Sequence, residues 1–161
     1  MPVATRIDEV RKEISDLAAA TPSTLDFMQK MVKLLPERML KYNWVGFYML
    51  EPGSEPPMLA LGAFTGAPTP HTRIPLNQGI CGAAASSGQM IVIDDVSRDP
   101  RYLACSLETK SEIVVPVFVH GKVAGELDID SHFPAAFTRE DQELVQHCAA
   151  LVGKKLEDAG H

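Results

Sequence analysis

The chain has 161 residues, of which 45% are hydrophobic, and its formal net charge is −6 at pH 7. This length and hydrophobic content are typical of one soluble domain with a sizeable core. The acidic balance, without any basic run, argues against a nucleic-acid or anionic-membrane surface. No apolar run is long enough to span a bilayer and the N-terminus lacks a signal-peptide core, so we expect a cytoplasmic protein.

Two amphipathic helices are predicted at the N-terminus. Apolar residues recur at helical spacing over residues 7–17, and this helix should end before Thr21. Ser23 or Thr24 can cap a second helix, in which Pro36 marks a break or restart. The predicted apolar stripe of that helix is Leu25, Met28, Val32 and Leu35. We interpret this stripe as core packing.

Strand-forming residues follow in the segment 43–50, which reads NWVGFYML. A period of two places Trp44, Gly46 and Tyr48 on one face of this strand. Because Gly46 leaves room between two aromatic rings, the face could hold a small apolar or cationic group, or it could simply belong to the core. A turn-rich segment then leads to a second strand at 58–64, which predicts an antiparallel hairpin.

The three cysteines lie in different contexts. Cys81 is in a Gly-Ile-Cys-Gly turn before a run of small residues, which predicts a short helix whose N-terminal dipoles favour a thiolate. Cys105 lies in 94–110, a segment without sustained periodicity that predicts a long surface loop, and we interpret it as a reactive thiol. Cys148 falls on the apolar stripe of a last helix capped by Thr138, and is interpreted as a core residue.

The stretch 111–131 predicts a strand, a tight turn and a second strand. In the second strand a period of two places Glu126, Asp128 and Asp130 in a row on one face. If this face is enclosed, repulsion should keep at least one carboxyl protonated to unusually high pH, so the row indicates either a site or a solvated edge. The opposite face is predicted to carry Val123, Gly125, Leu127 and Ile129.

The position of Glu112 depends on the turn between these two strands. A two-residue turn at His120-Gly121 with regular pairing puts Glu112 on the face opposite Asp128 and Asp130. A three-residue turn, or a bulge, brings the three carboxyls together. Both geometries are compatible with the residues themselves.

Several kinds of chemistry have no support in the sequence. The five histidines show no metal-ligand spacing and there is no Cys-x-x-Cys motif, so no metal site is predicted. The chain also lacks a Gly-rich phosphate loop, a G-x-S-x-G elbow and a dinucleotide fingerprint. Three widely spaced cysteines do not favour a structural disulfide framework.

The order of several motifs resembles the GAF-domain family and, more narrowly, the free methionine-(R)-sulfoxide reductases within it. These motifs are NWVGFYML, RIPLNQGICG, a loop with Cys105, SEIVVPV, GELDIDS and FTREDQELV. The resemblance implies an α+β fold, a single GAF domain over 1–161 with a six-stranded antiparallel sheet and flanking helices. The N-terminal helices would occupy 1–40, and the sheet, active-site loops and C-terminal helix 43–157. It also implies a homodimer.

The resemblance further implies which residues reduce free methionine-(R)-sulfoxide. Cys105 matches the nucleophile, and Cys81 matches a cysteine that resolves its sulfenic acid as a disulfide. An external dithiol such as thioredoxin would then reduce that disulfide, and no metal or organic cofactor is implied. Because the resemblance requires Glu112 beside Asp128 and Asp130, we predict one extra residue in the hairpin.

The implied substrate-binding residues are Trp44, Tyr48, Glu112, Asp128 and Asp130. The two aromatic residues would wall the methyl-sulfur end of the substrate. The carboxyls would bind its ammonium group and supply the acid that protonates the departing oxygen.

Three positions depart from the family pattern. His71 takes the place of a further cysteine, Ser106 follows the predicted nucleophile where aspartate is common, and Glu126 takes the place of an apolar residue. The alternative interpretation is a GAF module that binds a small ligand without chemistry, or a redox sensor that uses the same cysteines. Repeated turnover of sulfoxide would distinguish a reductase from either.

Overall fold

The structure is a computed structural model that describes residues 3–102 and 107–161. Its helices are α1 (Val3–Ala20), α2 (Thr24–Arg38), α3 (Gly79–Ser87) and α4 (Arg139–Asp158), with a 3₁₀ turn at Val96–Arg98. Its strands are β1 (Trp44–Leu50), β2 (Met58–Thr65), β3 (Arg73–Pro75), β4 (Ile91–Ile93), β5 (Ser111–Val119) and β6 (Lys122–Ser131). No helix of these described ranges combines the length and apolarity that a bilayer crossing needs.

The six strands form one antiparallel sheet in the order β3-β2-β1-β6-β5-β4. Strand β6 is central and pairs with β1 on one side and β5 on the other. The predicted α+β class and six-stranded antiparallel sheet are therefore confirmed. Because β6 lies in the middle of the sheet, its side chains from Gly125 to Ser131 are removed from solvent on both faces.

The two faces of the sheet have separate cores. Helices α1, α2 and α4 pack together on one face and enclose the larger core, which we call the helix-side core. Helix α3 covers the other face, where a smaller cluster forms the site-side core. The site-side core consists of Trp44, Tyr48, Leu59, Ile74, Ile80, Cys81, Ala84, Ala85 and Val114. The period-two alternation of β6 thus sends Leu127 and Ile129 to one core and the carboxyls to the other.

The N-terminal helices begin and end close to the predicted positions, but their buried face differs. Helix α1 ends at Ala20, and the Ser23 side chain caps α2 by accepting a hydrogen bond from the Asp26 backbone. Pro36 does not break α2, because it lies in the last turn of a helix that continues to Arg38. The assignment of Leu25 to the stripe is wrong: it is exposed in the first turn of the helix, about 90° around from the centre of the face that the other apolar residues bury.

The start of α4 is fixed by two sets of hydrogen bonds. Thr138 and Asp141 form a reciprocal capping box, which confirms the predicted cap. The Tyr42 hydroxyl donates a 2.5 Å hydrogen bond to the other oxygen of Asp141. Burial and the Asp141 charge raise the Tyr42 pKa, so this hydroxyl remains a donor. The loop before β1 is thereby joined to the helix that packs on β5.

The β5–β6 hairpin contains the predicted extra residue. Its turn is the two-residue His120-Gly121, both with positive φ, and the additional residue is a bulge in β6. Val117 pairs with Gly125 whereas Phe118 pairs with Val123, which leaves Ala124 without a partner.

The bulge also corrects one prediction about the faces of β6. Val123 was expected to share a face with Leu127, and this expectation is wrong. Val123 packs against the site-side core, whereas Leu127 belongs to the helix-side core. An extra residue shifts the alternation by one, so positions on either side of Ala124 exchange faces.

Candidate active site

Helix α3 brings Cys81 onto the carboxyl-bearing face of the sheet. Cys81 is the third residue of this helix and is buried, and its thiol donates a 3.4 Å hydrogen bond to Asp128. Helix α3 can lie close to the end of β3 because Gly82 has no side chain: a Cβ there would lie 2.8 Å from the Pro75 carbonyl oxygen. The predicted location at a helix N-terminus is therefore confirmed.

The expected thiolate at Cys81 is not supported. Burial raises the pKa of Cys81 well above its ordinary value, and the acidic groups of Asp128, Glu126 and Glu112 beside it raise it further. Desolvation and like charges both disfavour the anion, and here they outweigh the helix dipole. Cys81 is therefore a protonated thiol, with Asp128 as its hydrogen-bond acceptor.

Four carboxyl groups lie on this face. Asp128, Asp130 and Glu126 come from β6, and Glu112 comes from β5, where it pairs directly with Asp130. All four are at most 5% exposed. The structure therefore brings together Glu112, Asp128 and Asp130, the three carboxyls predicted for the site. Glu126 lies on the same face of β6, two residues before Asp128. Burial decides between the two interpretations of the row: it is an enclosed cluster and not a solvated edge.

Hydrogen bonds shift the pKa values of Glu112 and Asp128 in opposite directions. Burial raises the pKa of Glu112 well above its ordinary value, and both the charges of Asp128 and Asp130 and hydrogen bonds to them raise it further. Burial also raises the Asp128 pKa, but hydrogen bonds from Glu112 and Cys81 lower it. Since Asp128 accepts hydrogen bonds from both neighbours, it is the carboxyl that ionises first. Glu112 is the carboxyl that keeps its proton.

Glu126 is the least accommodated of the four carboxyls. It is fully buried, and neither of its carboxyl oxygens has a hydrogen-bond partner in the described chain. It pairs with Tyr48 on one side and Pro116 on the other. Burial and the Asp128 charge raise the pKa of Glu126 well above its ordinary value, and the nearby Cys81 thiol, which is not within hydrogen-bond distance, lowers it only in part, so Glu126 stays uncharged.

Aromatic residues of β1 and β2 wall one side of the cluster. The Trp44 ring stacks with Tyr48 at 6.2 Å and with Phe64 at 5.8 Å between centroids. Its indole N–H donates to the Ala67 carbonyl, and the Tyr48 hydroxyl donates to the His71 carbonyl. The space that Gly46 was predicted to leave is filled by the Trp44 ring, since a Cβ on Gly46 would lie 2.4 Å from it.

A small pocket opens between α3 and the carboxyls. Its volume is about 10 Å³, which is room for roughly one water molecule. The residues around it are Tyr48, His71, Ile74, Gly79, Ile80, Cys81, Glu112 and Asp128. The sequence analysis assigned no role to His71, although its position, where the family pattern has a further cysteine, already pointed to the site. A second pocket of about 90 Å³ lies beside Trp44 and Asp130.

The remaining cysteines fall outside this cluster. Cys105, the predicted nucleophile, and Ser106 lie outside the described residues. Cys148 is fully buried in α4, within the helix-side core, and burial raises its pKa to about 12. Its interpretation as a core residue is confirmed. Within the described chain, donor atoms of Cys81, Glu112 and Asp128 lie within 4.8 Å of one another, so this triad could hold a metal ion.

Comparison with known proteins agrees with this geometry. The family model for the GAF domain matches residues 23–156. The chain belongs to the GAF-domain family. Within the family, this GAF domain groups with the free methionine-R-sulfoxide reductases. It is 35% identical over 148 residues to the *Escherichia coli* free methionine-R-sulfoxide reductase, covering 92% of this chain and 87% of that protein.

Solved structures of relatives extend the same comparison. A *Neisseria meningitidis* free methionine-R-sulfoxide reductase in complex with its substrate is 33% identical to this GAF domain, with a TM-score of 0.90. The match covers 98% of this chain and 92% of that one. A GAF sensor protein described as putative, from *Burkholderia vietnamiensis*, is 29% identical, with a TM-score of 0.86 and 96% of each chain covered. The backbone is therefore shared by reductases and a sensor, and side chains must distinguish them.

Proposed function

We propose that this GAF domain reduces free methionine-(R)-sulfoxide to methionine. The observation that carries the proposal is the buried contact between Cys81 and the carboxyl pair Glu112 and Asp128, in a chain related to reductases of this substrate. A ligand-sensing module needs a binding pocket, but it does not need a protonated acid beside a thiol. Reduction of a sulfoxide needs both.

We assign Cys105 as the nucleophile of the first step, the attack on the sulfoxide. Its thiolate attacks the sulfoxide sulfur and forms an S–S bond, and the sulfoxide oxygen takes up one proton. The substrate S–O bond breaks as the hydroxyl bonds to the Cys105 sulfur, and the S–S bond breaks to release the reduced sulfur. The products are methionine and a sulfenic acid on Cys105, so Cys105 is oxidised and the substrate sulfur is reduced. The reactive role of Cys105 rests on its loop position and on the family resemblance.

Glu112 is the acid we assign to that proton. A sulfoxide does not release a bare oxide, so the donor must still carry its proton near neutral pH. Burial and the charges of Asp128 and Asp130 keep the pKa of Glu112 high enough for this role. Glu112 also lines the small pocket beside Cys81.

Asp128 and Asp130 are assigned to the ammonium group of the free amino acid. They are buried and are not members of any ion pair in the described chain, so a substrate cation would be their counter-charge. Trp44 and Tyr48 would contact the methyl-sulfur end. A peptide-bound methionine lacks the free ammonium, which gives a physical reason for preferring the free amino acid.

Cys81 is assigned to resolve the sulfenic acid. Its sulfur attacks the Cys105 sulfur, and its proton passes along the existing hydrogen bond to Asp128. Asp128 hands this proton to Glu112, which lost its own in the first step, and Glu112 passes it to the hydroxyl, which leaves as water. An external dithiol such as thioredoxin would reduce the disulfide. Neither step requires a prosthetic group.

The proposed assembly is a homodimer, as the family resemblance implies. Light scattering on the purified protein measures this directly. A monomer at the concentrations used for the activity assay would contradict this part of the proposal without affecting the chemistry.

The deciding experiment is consumption of free methionine-(R)-sulfoxide with excess dithiothreitol. Wild type, Cys105→Ser, Cys81→Ser and Cys148→Ala are compared. We expect turnover by wild type and Cys148→Ala, none by Cys105→Ser, and no intramolecular disulfide in Cys81→Ser. Cys148→Ala is the matched control, because that thiol lies in the helix-side core.

Absence of turnover by fully reduced wild type would overturn the reductase proposal and favour a ligand-binding GAF module. A single round of thiol oxidation without release of methionine would favour a redox sensor. Turnover that survives Cys105→Ser would remove Cys105 from the mechanism.

A further inference from the structure

We propose that Cys81, Glu112 and Asp128 form a binding site for one Zn²⁺ ion. The proposal concerns regulation of the candidate active site, since an ion held there would exclude the substrate. Its inhibitory consequence rests on the proposed function, whereas the binding itself does not. Zn²⁺ is the ion that this donor set suits, because it accepts both thiolate sulfur and carboxylate oxygen. Cys81 and Glu112 would release their protons to solvent as the ion binds.

One of the three distances between donor atoms matches a tetrahedral zinc site. One ligand atom from each of the three residues lies within 4.8 Å of the others. The Cys81 sulfur and an Asp128 oxygen are 3.4 Å apart. With zinc–sulfur and zinc–oxygen bonds of about 2.3 and 2.0 Å, a tetrahedral site separates these two atoms by about 3.5 Å. One edge of the site is therefore already formed, and small rotations of Glu112 would complete the other edges.

The space beside these donors has the size of a single ion. The pocket they line has a volume of about 10 Å³, room for roughly one water molecule. The second carboxyl oxygen of Asp128 is buried without a hydrogen-bond partner in the described chain, and this residue is only 2% exposed. A buried oxygen without a partner is costly, and coordination of a cation would remove that cost.

Charge also favours a cation at this position. Two further acids, Glu126 and Asp130, adjoin the triad, and no ion pair of the described ranges includes any of these carboxyls. Three protein ligands leave a fourth zinc position open to water or to another donor. The proposed substrate would bring its ammonium group to Asp128, which is also a ligand of the triad, so zinc and substrate should compete.

Motif spacing did not predict this site because its donors come from three separate elements. Cys81 is in α3, Glu112 in β5 and Asp128 in β6. Structural zinc motifs are recognised by ligands a few residues apart. Here antiparallel pairing and the packing of α3 bring distant residues together.

Isothermal titration calorimetry with Zn²⁺ and phosphine-reduced protein tests the site. We expect one ion per chain for wild type, and binding at least about tenfold weaker for Cys81→Ser and for Asp128→Asn. Cys148→Ala should bind as wild type does, because that thiol lies in the helix-side core, and Cys105→Ser tests whether a thiol outside the triad takes the fourth position. Circular dichroism verifies that each variant is folded, and Glu112→Gln is a further variant that keeps side-chain size.

Binding that is unchanged in Cys81→Ser and Asp128→Asn, or no binding by wild type, would overturn the proposal. Loss of binding only in Cys105→Ser would overturn it too. In an activity assay with a phosphine as reductant, since dithiothreitol would itself chelate the ion, Zn²⁺ should raise the apparent KM for the sulfoxide, and a chelator should reverse this. A chelator-treated enzyme without turnover would contradict the proposed function, while the calorimetric result would still decide the zinc site.

Discussion

Glu112 lies directly opposite Asp130 in the ladder between β5 and β6. This pairing exists because Ala124 is an extra residue in β6, which shifts the register by one beyond the turn. Without that shift Glu112 would face the helix-side core, away from the other carboxyls. The bulge is therefore the feature of the backbone that assembles the acid cluster.

Deletion of Ala124 should separate the cluster and destabilise the fold. Regular pairing would turn one of the two strands over. Either Glu112 would change faces together with the core residues of β5, or the β6 carboxyls would change faces together with Leu127. Exchanging buried apolar and acidic side chains costs several kcal/mol. Urea unfolding and the sulfoxide assay measure the two effects. Ala124→Ser keeps the extra residue and should resemble wild type in both measurements. If the deletion variant were as stable and as active as wild type, this role of the bulge would be contradicted.

Stability should fall as the pH rises above about 4.5. In the unfolded chain a glutamate ionises near its ordinary pKa of 4.5, whereas burial and the Asp128 charge keep the pKa of Glu126 well above that value in the folded protein. Above pH 4.5 the unfolded chain therefore binds fewer protons than the folded chain, and the free energy of unfolding decreases. Urea titrations at pH 5, 6 and 7 measure this slope.

Glu126→Gln provides the control for that slope. Removing one such carboxyl should reduce the pH dependence by up to about 1.4 kcal/mol per pH unit. Glu37→Gln, on an exposed stretch of α2, should leave the slope unchanged. Equal slopes for wild type and Glu126→Gln would show that Glu126 ionises normally in the folded protein.

Glu126→Leu should stabilise the protein at neutral pH by about 1–3 kcal/mol. The two glutamate oxygens are buried without hydrogen-bond partners in the described chain, and leucine fills a similar volume without a polar group. Thermal unfolding at pH 7.5 measures the change. Destabilisation by leucine would mean that the carboxyl makes an interaction beyond those of the described residues.

Gly46→Ala should displace Trp44 and weaken substrate binding. The new Cβ would lie 2.4 Å from the indole ring and 2.9 Å from the Phe64 Cβ, so the aromatic wall must shift. We expect a higher KM for the sulfoxide and a loss of stability of about 1–3 kcal/mol. The matched control is Gly62→Ala, whose Cβ would meet only the Phe47 carbonyl at an ordinary 3.5 Å. Similar effects of both substitutions would contradict this account.

Tyr42→Phe should reduce stability without changing the chemistry of the site. The lost hydroxyl donates to a buried carboxylate, and such charge-assisted hydrogen bonds contribute about 1.5–3 kcal/mol. Asp141 keeps its capping bonds to Thr138, so α4 should still begin at the same residue. Thermal unfolding measures the loss, and kcat for sulfoxide reduction should equal that of wild type. A changed kcat would place Tyr42 in contact with the site.

Periodicity by itself determined most of the secondary structure. The apolar spacing of α1 and α4, the cap at Thr138 and the strand chemistry of β1 and β2 are local properties, and the structure agrees with them. Period two also identified the carboxyl row of β6 before any partner strand was known. Membership in the GAF-domain family followed from the order of short motifs. Leu25 was misassigned because the face a helix buries depends on its partners.

Tertiary structure decided which side chains meet and in which protonation state. The local rule for a helix N-terminus favours a thiolate at Cys81, but α3 presses this thiol against buried carboxyls, and desolvation reverses the preference. Two hairpin geometries fitted the residues of β5 and β6, and the bulge at Ala124 selected the one that joins Glu112 to Asp130. Register and burial depend on atoms distant in the chain, which is why sequence periodicity alone does not contain them.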